Sequence, residues 1–118
     1  MPIKPLTKRK PEQLAAYNLS RRVKTAMTKR ADWARMSRRD QLDALYDIRD
    51  LLKAAEETRV VCMVPGVHYA TQKTVAKYIA AAYGIAREYA QEMPRNGEFF
   101  WVSYDIQNML EKHADKEE

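Results

Sequence analysis

From Pro11 to about residue 30, apolar side chains recur at Ala16, Leu19, Val23, Ala26 and Met27, three or four positions apart. That spacing places them on one face of a helix. Pro11 suits its first position, because the opening turn leaves its N–H groups unbonded and proline has none. Arg21 and Lys24 fall away from the apolar face, with Arg22 and Lys29 nearer its border. Trp33 and Ala34 extend the same stripe, which leaves a continuation of the helix through them open.

Ser37, with Asp40 three residues on, resembles a capping box and predicts the start of a second helix. Leu42, Leu45, Ile48, Leu52 and Ala55 make its buried side, and the helix is predicted to end near Glu57 or Thr58. Asp40, Asp43, Asp47 and Asp50, spaced three, four and three, line up on the far side, with Leu51 awkwardly close to them. Arg59 to Val64 is rich in β-branched residues and stops at Pro65-Gly66, which predicts a short strand; so short an apolar run is equally able to close a helix.

The longest periodic segment runs from Thr71, as N-cap, to Met93, where Pro94 stops it. Asn96-Gly97 signals a turn. Glu98 to Val102 reads as a second strand pairing with the first, and Ser103 as the cap of a last helix through Met109, Leu110 and His113. The predicted fold is mainly α: a compact bundle of about four helices around the Ala-rich 71–93 helix, with a minor two-stranded β element. Residues 1–10 are expected to form a flexible basic arm and residues 11–118 a single helical domain.

Residues 79–85, IAAAYGI, resemble the turn of a helix-turn-helix, with Ala80 four positions before Gly84. On that alternative, a winged helix-turn-helix, residues 86–93 form a recognition helix whose Arg87, Glu88 and Gln91 face the major groove, Arg reading guanine and Gln adenine. The competing reading is one continuous buried helix. Two rows of small residues, Ala76–Ala80–Gly84 and Ala82–Ala86–Ala90, would then let neighbouring helices pack closely on both flanks.

Charge changes the picture most. Residues 1–39 hold 12 Lys/Arg against two acids, whereas residues 40–118 hold nine against 14. A cationic front on an acidic body favours contact with a polyanion through one end. The candidate contacts are Lys8, Arg9, Lys10, Arg21, Arg22, Lys24, Arg38 and Arg39, joined by Arg87 and Gln91 if the helix-turn-helix forms. Six phosphate contacts on a duplex would give a slope of about −5 in log K against log salt.

Other chemistry is thin. The three glycines are scattered, so no phosphate-binding loop exists. The lone Cys62 sits among Val60, Val61, Met63 and Val64, which reads as a buried thiol. His68 and His113 lack neighbours at metal-ligand spacing, and the aspartate row lacks a second acidic segment to complete a cation site. Phe99, Phe100, Trp101 and Tyr104 form the densest aromatic cluster, read mainly as core. No cofactor, metal or catalysis is expected. With one cysteine, no apolar run of membrane length and no secretory signal, the expected location is cytoplasmic and away from membranes.

The leading expectation is therefore a non-enzymatic nucleic-acid-binding accessory or regulatory protein, with DNA ahead of RNA as the partner. The alternative is a small interaction protein that modulates a protein partner such as a nucleic-acid enzyme. It would meet an acidic patch with its cations, or a basic one with Asp40, Asp43, Asp47 and Asp50.

Overall fold

Leu45, Ile48, Leu52 and Ala55 on one helix, and Val75, Ile79, Ala82, Tyr83 and Ala86 on another, are almost wholly withdrawn from solvent in one shared core. The computed structural model describes residues 10–29 and 33–117, without the side chains of residues 29 and 115–117. Four helices occupy the described residues: α1 (Pro11–Lys29), α2 (Arg38–Cys62), α3 (Tyr69–Ala90) and α4 (Phe100–Glu117). Single 3-10 turns stand at Trp33–Arg35 and Gly97–Phe99. The two middle helices, α2 and α3, form the central pair; α1 packs against both, and so does α4. The Ala-rich helix is thus one of two at the centre.

Helix α1 opens at Pro11, where the Lys10 carbonyl accepts from the Gln13 and Leu14 amides, both at 3.0 Å. It buries Leu19 and Val23, while Ala15, Ala16 and Ala26 pack at the core's edge. Met27, expected in the same stripe, is instead 63% exposed. Trp33 and Ala34 belong to a separate 3-10 turn and not to α1. Trp33 packs edge-on against Tyr89 of α3 at 5.9 Å, and its carbonyl accepts from the Gln41 side chain at 2.9 Å. Ser37 caps α2 as expected, its Oγ accepting from the Asp40 amide at 3.1 Å.

Neither strand of the expected β element is present among the described residues. Arg59–Cys62 is the last turn of α2, which runs past the expected end at Thr58. Cys62 follows Ala55 and Thr58 at helical spacing into the core, while Val60 is 69% exposed. Residues 64–67 form the turn, closed by the Val67 amide on the Val64 carbonyl at 3.4 Å. Gly66 takes φ +95° there, a left-handed conformation that side chains disfavour. Gln72 secures this loop, donating to the carbonyls of Val64 at 2.9 Å and Cys62 at 3.3 Å.

The N-cap of α3 is His68 and not Thr71: its Nδ1 accepts from the Ala70 amide at 3.1 Å. The expected second strand is a 3-10 turn followed by the start of α4. Phe99, Val102, Ser103 and Ile106 all point inward, at helical spacing, whereas Trp101 is 70% exposed. Ser103 does not cap α4; it lies inside it and donates to the Pro94 carbonyl at 2.6 Å.

Only one of the two small-residue rows on α3 packs. Ala82 and Ala86 are fully buried, with Ala90 beside them at the core's edge. Ala76 and Ala80 are exposed, and a methyl group added at Gly84 would meet nothing within 4 Å. A helical glycine with open space around it costs about 1 kcal/mol against alanine. Gly84→Ala should therefore raise unfolding free energy by about that amount in a denaturant titration. A loss of stability would show that the glycine is required.

A buried polar cluster joins α2, α3 and α4. The Tyr83 hydroxyl donates to Glu56 Oε1 at 2.9 Å, and Glu56 Oε2 accepts from Arg59 at 2.6 Å. The Tyr83 ring stacks on His113, centroids 3.7 Å apart and planes 11° from parallel. Burial, then the hydrogen bond to Glu56 and that carboxylate's charge, push the Tyr83 phenol well above its ordinary value near 10. The folded chain thus keeps a proton that the unfolded chain loses above about pH 10, so stability falls as pH rises beyond that point. Tyr83→Phe should cost about 1.5 kcal/mol at neutral pH. Its unfolding free energy should then decline less steeply above about pH 10 than that of the wild type; parallel curves would contradict the assignment.

Candidate functional site

The expected recognition helix does not form. Helix α3 passes unbroken through Gly84 to Ala90, so Arg87 lies in its last turn and Gln91 in the residue that ends it. Supporting and recognition helices are one rod, and no second helix is angled to present Arg87 and Gln91 to a groove. Glu88 and Glu92 alternate with them along the same exposed end.

Lys8 and Arg9, together with residues 1–7 of the expected arm, lie outside the described residues. Lys10, Arg21, Arg22 and Lys24 are all exposed. At 3.6 residues per turn, Arg21 and Lys24 fall on the side of α1 opposite Leu19 and Val23, with Arg21 at the border of the α1–α2 groove, while Lys10 immediately precedes the helix. The Arg21 guanidinium lies 5.8 Å from the Tyr17 ring centroid on that outer side. Arg22 is rotated toward α2, where it overlooks a groove between the two helices.

Arg38 and Arg39 stand differently. Arg38 Nε meets Glu98 Oε1 at 2.6 Å, with its guanidinium over the Phe99 ring at 5.1 Å. Arg39 pairs with Asp43, one turn on, at 3.6 Å. Further along α2, Arg49 holds Asp105 of α4 at 3.4 Å and covers the Tyr46 ring at 4.8 Å, and Arg59 holds Glu56. Every arginine of α2 therefore has a carboxylate beside it. Among the described residues, no carboxylate lies within 4.0 Å of Lys10, Arg21, Arg22 or Lys24.

The aspartate row is exposed along α2, away from Leu45, Ile48, Leu52 and Ala55. Asp40, Asp43, Asp47 and Asp50 line the α1–α2 groove, facing Arg21 and Arg22 across a volume of about 710 Å³. Leu51, which is buried, turns that edge of α2 toward α1. The groove's floor is apolar, formed by Ala26, Ala44, Ile48, Leu51 and Tyr89. A second hollow of about 350 Å³ continues it toward Pro11 and Val61, and the two meet at Asn18 and Arg22.

Little else offers chemistry. Cys62 is fully buried, and its Sγ–H donates to the Glu12 carbonyl at 3.3 Å. Burial, with Glu12 nearby, pushes the thiol above its ordinary value, the reverse of an activated nucleophile. Among the described residues no group of three or more His, Cys, Asp and Glu is placed to hold a metal ion, and no helix is long and apolar enough to cross a membrane. Sequence reasoning placed the aromatic cluster mainly in the core. In fact only Phe99 is buried, while Phe100, Trp101 and Tyr104 form an exposed group of ring contacts on the first turns of α4. The spacing of Phe99, Val102 and Ile106 carried the signal for this, since it fixes the buried side of α4 and turns Trp101 outward.

Compared with known families, characterised proteins and solved structures, the chain matches none.

Proposed function

We propose that this chain is a non-enzymatic nucleic-acid-binding accessory protein, engaging phosphates through the outer side of α1 and the basic residues that precede it, with DNA preferred to RNA. One observation carries the reading: Arg21, Arg22 and Lys24 of α1 are exposed and have no carboxylate within 4.0 Å among the described residues, whereas the arginines of α2 are each matched by a carboxylate. An unmatched cation releases a condensed counterion when it meets a phosphate, and that release drives non-specific binding. A paired arginine must first give up its partner. Exposed pairs contribute little, so Arg38 and Arg39 remain accessible to phosphate, but as secondary contacts.

The contacts proposed are Lys10, Arg21, Arg22 and Lys24, with Lys8 and Arg9 just before them. A regulatory role and a cytoplasmic location accord with this reading, which calls for no cofactor.

Affinity for random duplex, single-stranded DNA and RNA, measured at several salt concentrations, tests the proposal. Six contacts predict a duplex slope of about −5 in log K against log salt. Arg21→Gln with Lys24→Gln should flatten it by about two, weakening all sequences alike. Arg38→Gln with Arg39→Gln should change it far less. Absence of binding to all three nucleic acids at low salt would refute the proposal, as would a slope governed by Arg38 and Arg39.

A further inference from the structure

We infer that the groove between α1 and α2 is a docking site for an amphipathic helix of a partner protein, one with acidic residues along one edge and basic residues along the other. This goes beyond nucleic-acid binding and uses the neighbouring flank of α1, with Arg21 and Arg22 shared between the two surfaces. The outer side of α1 meets phosphate; the groove lies on the flank of α1 that faces α2.

Three features define the occupant. The first is the floor, where Ala15, Ala26, Ala44 and Ala54 are only partly buried and, being small, let a second backbone approach closely. A polyanion gains nothing from such a floor. The second is charge: Arg21 and Arg22 form one rim, and Asp40, Asp43 and Asp47 form the other. A phosphate chain drawn to one rim is repelled by the other, whereas a helix with oppositely charged edges satisfies both. The third is the walls. Both are helices whose backbone groups are bonded internally, so they offer no ladder to an extended strand. An incoming helix satisfies its own backbone and needs only side-chain contacts.

Length agrees. The two hollows together follow α1, which has 19 residues and is about 28 Å long. A partner helix of about five turns would lie along it. A second copy fits poorly, because two concave floors facing each other leave both unfilled.

The probe for testing this is a displayed library of single-helix peptides, selected on the full chain. Enriched peptides should carry an apolar i, i+3, i+4, i+7 stripe with acids on one edge and bases on the other, and should shift the amide resonances of Ala44, Ile48 and Leu51. Asp43→Lys with Asp47→Lys should weaken them by about tenfold or more while strengthening duplex binding. Ala44→Phe, which fills the floor without changing charge, should also weaken them but leave duplex affinity unmoved. Thermal melts of both variants verify that the fold is retained. The inference is overturned if no peptide is enriched, if enriched peptides lack the two charged edges or are indifferent to both variants, or if sedimentation reveals a dimer that these substitutions dissolve. Because duplex binding is read separately, this inference and the nucleic-acid reading fail independently.

Discussion

The rotation of α1 about its own axis is set by two side chains, Leu19 and Val23, that lie one turn apart and are withdrawn almost completely from solvent. Burying each contributes about 2 kcal/mol relative to leaving it in water, and a different rotation would expose both. Everything proposed for the cationic end follows from that constraint. With Leu19 and Val23 inward, Arg21 and Lys24 must face outward and Arg22 must lean toward α2. The Cys62 thiol, bonded to the Glu12 carbonyl, fixes the opposite end of the same helix pair.

The arginines of the chain divide according to the helix that bears them. On α2 they act as ties: Arg38 reaches the 3-10 turn before α4 through Glu98, Arg49 reaches α4 through Asp105, and Arg59 supports the Glu56 carboxylate that receives the Tyr83 hydroxyl. On α1 they tie nothing within the described structure. Positive charge concentrated in the first third of the sequence is therefore redistributed by folding. Part of it is neutralised at the α2–α4 junction, and part remains on the outside of α1. The aspartates of α2, set across the groove from Arg21 and Arg22, keep the field of that surface from being uniformly positive. Their influence decays over a Debye length of about 10 Å at 0.1 M salt, which limits it on the far side of α1.

Much of the bundle was legible in the sequence, because helical faces are written as three- and four-residue spacing. The apolar faces of α1, α2 and α3 emerged that way, while the Ser37 cap came from Asp40 three residues on and the Pro11 start from proline's missing N–H. The two expected strands failed for a specific reason. Val60, Val61 and Val64 favour strands locally, but the positions that enter the core are Thr58 and Cys62, spaced as in a helix. The same holds for Phe99, Val102 and Ile106. Propensity yielded to packing in both segments. The groove was not legible, since it depends on which edge of α2 meets α1, and a single helix does not encode its neighbour. Leu51, out of place beside the aspartates, was the one local sign. The Arg38–Glu98 pair joins residues 60 positions apart and was likewise beyond local reasoning.

Amide resonances followed while a short duplex of mixed sequence is added at low salt test the central claim most directly. Exposed and unmatched cations on α1 predict that the largest changes fall on Tyr17, Arg21, Lys24 and Thr28, with α4 unaffected. Changes confined to Phe100, Trp101 and Tyr104, or none at all, would contradict it.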